Sequence, residues 1–317
     1  MARDCALVLG GGGAAGNAWQ IGIIAGLAEA GVDLPRSADL VIGTSAGATA
    51  AAQVRSGIPP AELLARLLSA PTPPARPAGG RGERPHSPPM DAVFERMRAI
   101  GAVASSAADL QRAMGAFGLE ADAALGPAAP AARRAEVAAR LPGPHWPDRP
   151  MIITAIDAHT GELALFDRDS GAELADAVAA SCAMPGLAPT VAIDGAHYID
   201  GGVRSVENAD VAAGYAAVVV LSPLGGFSRD APEPGANPAG QFEGLRREPA
   251  WGTDLASQLE ALRRQGSRVE LLTADADSLA ALGVNLMNPA SRIPAARAGR
   301  AQGMREAARL GFLAGGS

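Results

Sequence analysis

Leu40-Val41-Ile42-Gly43-Thr44-Ser45-Ala46-Gly47 is an apolar run that ends in a serine with glycine two residues before it and two after. This is the shape of a nucleophile elbow, in which a buried strand turns sharply into a helix and holds the serine hydroxyl out at the corner. Glycine on both flanks lets the backbone fold that tightly. The following Ala48-Thr49-Ala50-Ala51-Ala52-Gln53-Val54 is rich in helix formers and meets no proline before Pro59, so Ser45 is predicted at a helix N-terminus. A bare G-x-S-x-G recurs by chance in a chain with 39 glycines. The strand before it and the helix after it carry the reading.

Toward the N-terminus, Cys5-Ala6-Leu7-Val8-Leu9 reads as a buried strand that runs straight into Gly10-Gly11-Gly12-Gly13-Ala14-Ala15-Gly16. A helix follows, with Trp19, Ile23, Ile24, Leu27 and Ala28 at helical spacing and a stop at Gly31. Two strand-turn-helix units in succession place both glycine turns on one edge of a parallel sheet, where open α/β folds bind ligands. Gly11, Gly13 and Gly16 also satisfy the dinucleotide fingerprint, and an oxidoreductase is the competing enzyme reading. That fingerprint expects an acidic residue at the carboxyl end of the second strand to hold the ribose. Here Ser45 stands at that end and Asp39 at the other.

Toward the C-terminus, residues 59–68 read as a helix and 71–89 as an exposed Pro, Gly and Arg tract without apolar periodicity. Helical spacing resumes over 90–117, with Met90, Val93, Phe94, Met97, Ile100, Ala104, Ala107, Leu110 and Met114 along one stripe. The stripe suits a core-facing helix pair, or a lid or interfacial helix beside the active site. Strands are predicted at 151–156, 162–166, 217–221 and 268–273, with a hairpin 191–199 turning at Asp194-Gly195. Helices are predicted at 172–182, 254–265 and 295–313, and 222–238 is a Gly- and Pro-rich loop. The expectation is one domain over 1–317, carrying a Pro-rich and helical insertion at about 59–147 as a candidate lid.

Composition narrows the function classes. A net charge of -6 and 3% aromatics exclude a nucleic-acid partner, which needs basic residues for phosphates and rings for bases. The four histidines have no metal-ligand spacing, and neither a metal nor another cofactor is expected. Cys5 and Cys182 lie in apolar surroundings, as buried thiols of a reducing compartment do. No signal-peptide core and no membrane-spanning run is present, so the expected location is cytoplasmic, with peripheral membrane contact left open. The abundance of Ala, Gly, Pro and Arg is the bias expected of a GC-rich bacterial genome.

A serine hydroxyl needs a base within hydrogen-bond reach before it can attack a carbonyl. His86 and His145 fall in Pro-rich loops, His159 in a turn and His197 on a strand; none follows a suitable acid late in the chain, as the Ser, Asp, His order of α/β-hydrolases requires. Asp200, at a strand end before Gly201 and Gly202, is the better-placed base, and an ordinary Asp-Gly turn is the alternative reading of the same residues. Backbone N–H groups of Gly11, Gly12 and Gly13 can converge on one oxygen as an oxyanion hole.

Taken in order, the loop 10–16, the elbow Gly43-Thr44-Ser45-Ala46-Gly47, the segment Ala180-Ser181-Cys182-Ala183-Met184-Pro185 and the triplet Asp200-Gly201-Gly202 resemble the patatin-like phospholipase family. The resemblance covers most of 5–220 and is looser through 60–145. It implies a three-layer α/β/α fold with a mostly parallel central sheet. It also implies a Ser45/Asp200 dyad without histidine, an oxyanion hole from Gly11 to Gly13, and hydrolysis of lipid acyl esters through an acyl-enzyme. Family members commonly carry a basic residue in the glycine loop where this chain has Ala15, which removes an anchor for phosphate. Ser181 and Cys182 read as helix-packing residues. A catalytically weak lipid-binding or regulatory protein on the same fold is the alternative from another class.

Overall fold

The computed structural model describes residues 4–69, 90–225 and 248–313. The 71–89 tract and most of the 222–238 loop lie outside these residues. Among the described residues eight strands form one sheet: β1 (Cys5–Leu9), β2 (Leu40–Thr44), β3 (Met151–Asp157), β4 (Leu163–Phe166), β5 (Val191–Ile193), β6 (Ala196–Asp200), β7 (Ala217–Ser222) and β8 (Arg268–Thr273). Their order is β5-β6-β3-β2-β1-β7-β8, with β4 paired to β3 beside this path. From β3 through β2, β1 and β7 to β8 every pairing is parallel, whereas β4, β5 and β6 pair antiparallel.

Helices are α1 (Gly13–Glu29), α2 (Leu34–Ser37), α3 (Ala46–Arg55), α4 (Pro60–Ser69), α5 (Met90–Val103), α6 (Ala107–Leu125), α7 (Ala129–Ala138), α8 (Leu174–Ser181), α9 (Leu255–Arg264), α10 (Ala276–Leu282) and α11 (Arg292–Glu306). Strand side chains alternate between two apolar layers, as the two-residue period of a strand requires. Leu7, Leu9, Val41, Val219 and Leu221 pack in one core with Trp19, Ala51, Leu110, Val178 and Ala296 from α1, α3, α6, α8 and α11. Ala6, Val8, Ile42, Val218 and Val220 pack in the other with Leu255, Leu259 and Leu262 of α9. Strands buried on both faces read as unbroken apolar runs, which is why β1, β2 and β7 are legible in the sequence. The architecture is the three-layer α/β/α arrangement.

Two elements differ from their sequence reading. The spacing of Trp19, Ile23 and Leu27 predicts one apolar stripe on α1, yet the helix is buried nearly all round. The reason is α11, which packs closely along it. A Cβ at Gly22 would stand 2.2 Å from the Ala296 carbonyl oxygen, and one at Gly303 only 2.3 Å from that of Ile23. The predicted 295–313 helix begins earlier, at Arg292, ends at Glu306 and continues as 3-10 turns to Leu313.

The 90–117 stripe forms a helix pair that faces the core. Val93, Met97, Leu110, Met114 and Phe117 are buried. The break between α5 and α6 falls at Ser106, whose hydroxyl caps α6 by accepting from Asp109 N at 3.1 Å. A Cβ at Gly115 would lie 2.1 Å from Ala158 O, so α6 rests directly on the chain leaving β3. Among the described residues no helix is long and apolar enough to cross a membrane.

Candidate active site

The carboxyl ends of β1 and β2 are level, with Leu9 opposite Gly43, so the glycine loop and the serine elbow emerge side by side. Both elbow glycines are dictated by close approach. A Cβ at Gly47 would sit 1.9 Å from Leu9 O, and one at Gly43 would sit 2.5 Å from Gly47 O. Ser45 itself takes φ 55°, ψ -118°, a conformation that side-chain-bearing residues rarely adopt. It is the N-cap of α3, so the positive end of that helix points at its hydroxyl.

Asp200 ends β6, which pairs antiparallel with β3 and sets Asp200 opposite Ala155. Thr44 pairs with Thr154 on the other side of the same strand, one residue before Ser45. Register therefore carries the two predicted residues to one place, and Ser45 Oγ donates to Asp200 Oδ2 at 2.8 Å. The other carboxylate oxygen accepts from Gly202 N at 2.8 Å, which makes Asp200-Gly201-Gly202 a turn as well as a site. Burial pushes the Asp200 carboxyl up to about 6, against the Gly202 and Ser45 hydrogen bonds and the positive charge of Arg133.

None of the described histidines joins Ser45. His197 Nδ1 shares a 2.8 Å hydrogen bond with Thr190 Oγ1, and the Thr190 hydroxyl also bonds Asp122 Oδ2 at 2.5 Å. His86 lies outside the described residues. The glycine loop divides its amides. Gly11 N donates to Val206 O at 2.9 Å and so anchors the loop. Gly12 N and Gly13 N make no hydrogen bond among the described residues. Gly11 also lies against the elbow, its absent Cβ only 3.5 Å from Ser45 Cβ. Asp39 holds the opposite end of the sheet, accepting from Asp4 N and Cys5 N at 2.9 and 3.0 Å, far from any ribose position.

Residues not singled out for the site in the sequence complete its frame. Fully buried Ser181 accepts a 2.8 Å hydrogen bond from Ser45 N through its hydroxyl. Cys182 donates its thiol to Ser45 O at 3.2 Å, and Asp200 N donates to Ala183 O at 3.0 Å. Three consecutive residues thus hold the backbone of both Ser45 and Asp200. Burial, then the Asp200 charge, pushes the Cys182 thiol up to about 11, so it stays protonated and remains a donor. Asn208, at φ 51°, spreads its amide over Gly201 O, Ser205 O, Thr44 Oγ1 and Thr154 Oγ1 at 2.7 to 3.3 Å. Gln20 donates to Gly10 O at 2.8 Å and steadies the glycine loop from α1. The only sequence signal for Ser181 and Cys182 is their place in the block shared with the family. Asn208 and Gln20 carry none.

The serine elbow stands at the ligand-binding edge of a three-layer α/β/α sheet. The family follows from comparison: the patatin-like phospholipase family model matches residues 7–213, and the chain belongs to that family. The crystal structure of VipD from Legionella pneumophila is similar at 16% identity and a TM-score of 0.33, over 69% of this chain. This chain spans 50% of that structure's length. No curated protein sequence matches.

Proposed function

We propose that the protein is a serine lipid acyl hydrolase of phospholipase A, lysophospholipase or esterase type, with Ser45 as nucleophile and Asp200 as general base. The 2.8 Å bond from Ser45 Oγ to Asp200 Oδ2 carries this reading. Ser45 Oγ attacks the ester carbonyl carbon as its proton passes to Asp200, giving a tetrahedral oxyanion. Gly12 N and Gly13 N are the donors for that oxygen, and Gly11 supports them through Val206. Collapse of the intermediate breaks the carbon–oxygen bond to the alcohol, which takes the proton from Asp200. Water then attacks the acyl-enzyme, delivers a proton to Asp200, and the fatty acid leaves as Ser45 Oγ regains it. A carboxyl raised to about 6 is a stronger base than an ordinary aspartate and is still ionised at neutral pH.

In this reading the helical insertion at about 59–147 is a cover on a single hydrolase domain. The substrate reaches the site from a lipid surface. Val284 and Met287 favour that approach, because both apolar side chains are well exposed and Met287 borders Gly13. No cofactor is invoked. The decisive experiment is hydrolysis of a chain-length series of p-nitrophenyl esters, with fluorophosphonate labelling alongside. Ser45→Ala and Asp200→Asn are each expected to lose ~10³-fold or more in kcat/KM, with the label confined to Ser45. A wild type that is inert and unlabelled in the presence of lipid vesicles would favour a lipid-binding role on the same fold.

A further inference from the structure

Away from the serine, a cavity of about 320 Å³ opens where the end of α6 and the start of α7 meet the β5–β6 hairpin. Pro127, Pro130 and Pro189 wall it, and its polar groups come from Asp122, Thr190 and His197. That volume lies at the lower end of the range for small-molecule sites, which typically join apolar walls to a few convergent polar groups. Ser45, Asp200 and the glycine loop are not part of its lining. His197 and Asp200 stand three residues apart on β6, so their side chains leave opposite faces of the strand.

Hydrogen-bond accounting fixes what these groups offer. Asp122 accepts twice from Thr190, through Oδ1 from the backbone N at 2.9 Å and through Oδ2 from the hydroxyl at 2.5 Å. An ionised carboxylate has no proton to give, so the single hydroxyl hydrogen of Thr190 goes to it. The remaining contact, 2.8 Å between Thr190 Oγ1 and His197 Nδ1, must then take its hydrogen from the ring. His197 is thereby fixed as the Nδ1–H tautomer, and Nε2 of the neutral ring carries a lone pair. Among the described residues Nε2 has no hydrogen-bond partner and Asp122 pairs with no cation. The polar side chains of the cavity therefore offer acceptors and one negative charge. A half-buried carboxylate without a cation bears a solvation cost that a bound cation offsets.

We propose that this cavity binds an organic ammonium with a small apolar body. Its N–H groups donate to Asp122 and to His197 Nε2, and its body lies against the prolines. Asp122 repels a carboxylate ligand, and a neutral alcohol leaves the charge unmatched, so both are disfavoured relative to the cation. The site bridges the helical insertion and the hairpin whose second strand ends in Asp200. Such binding does not depend on Ser45 acting as a nucleophile.

The test is calorimetric titration of the full chain at pH 8 with n-hexylammonium, n-hexanol and hexanoate, with 15N spectra of the imidazoles alongside. Hexylammonium should saturate one site, shift the His197 signals and bind about tenfold or more tighter than hexanol, the worth of a charge-assisted bond. Hexanoate should not bind. Asp122→Asn should remove the preference for the ammonium, and Glu62→Gln, which removes a surface carboxylate paired with Arg66, should keep it. The wild-type spectra should show His197 as the Nδ1–H tautomer. Asp122→Asn sets an amide donor against Thr190 Oγ1, which turns the hydroxyl toward His197 Nδ1 and should move the ring proton to Nε2. Loss of packing alone would leave the tautomer where it was. Equal affinity for hexylammonium and hexanol overturns the proposal, as does a preference that survives Asp122→Asn or saturation that leaves the His197 signals unmoved. Tighter binding of hexanoate overturns it as well, since that requires an imidazolium. Should Asp122→Asn fail to fold, the wild type decides: an Nε2–H ring, or no saturable binding of hexylammonium, ends the proposal.

Discussion

The sheet edge that carries Ser45 and Asp200 and the helical insertion built from α4 to α7 are put together in different ways. At the edge, backbone meets backbone. Gly43, Gly47 and Gly201 each leave room for a carbonyl oxygen within 2.6 Å of where a Cβ would be. The insertion is held by side-chain volume instead, with Val93, Met97, Met114 and Phe117 buried in its interior. An edge of the first kind fixes residue identity, and an interior of the second kind fixes only size and polarity. Gly115 is the exception within the insertion, pressed on Ala158 O at the point where α6 lands on the sheet.

The sharpest way to break this contrast is substitution by one methyl group. Gly47→Ala drives a Cβ to 1.9 Å from Leu9 O, and neither strand nor helix can yield there without moving the elbow. The expected result is no folded protein, or a loss of ~4 kcal/mol or more in denaturant unfolding. Met97→Leu changes shape at nearly constant volume and should cost less than ~1.5 kcal/mol, whereas Met97→Ala should cost ~2–5 kcal/mol. Equal tolerance of Gly47→Ala and Met97→Leu would end the distinction.

Smaller, and directed at the site itself, is Ser181→Ala. It leaves Ser45 N without its acceptor in a buried place, a loss of ~1–3 kcal/mol in stability. It also releases one of the three bonds to the backbone of Ser45, which is held at φ 55°. If Ser181 positions the nucleophile, kcat per folded molecule falls about tenfold with KM little changed, and Ser181→Thr recovers much of it. A variant that is less stable but turns over normally would reduce Ser181 to packing.

The same contrast explains what could be read in advance. Glycines forced by close approach and the buried strands β1, β2, β3 and β7 left local signatures, so the elbow, the loop and the Asp200 turn were legible as separate pieces. Their meeting was legible only through resemblance, because Ser45 and Asp200 are joined by sheet register across β3 and not by spacing along the chain. Helix α7 was not legible: its alanines and arginines show no apolar stripe, and only Ala129 and Val137 are buried. Its contribution to the site is long-range charge and one bond to Cys182 O, neither of which leaves a local pattern. Ser181 was visible but mute, since a serine at a helix end has many uses.

The finest test reads that charge through the pH dependence of the site. In the proposed mechanism Asp200 must be ionised to accept the Ser45 proton, so kcat/KM should climb with pH along a limb centred at about 6. Arg133 lowers the Asp200 carboxyl, against the larger effect of burial, so Arg133→Gln should move the limb to higher pH. Loss of the Arg133 bond to Cys182 O alone would depress activity at every pH and leave the limb where it was. Stability supplies the opposite sign. A carboxyl raised in the folded state above its unfolded value of 3.8 favours folding fully below that value, and the benefit is lost as pH rises through about 6. Asp200→Asn removes this dependence, so its thermal midpoint relative to wild type should be higher at pH 8 than at pH 4. A limb centred near 4 together with a pH-independent stability difference would mean that Asp200 is solvated, and with it the reason for a dyad without histidine would be gone.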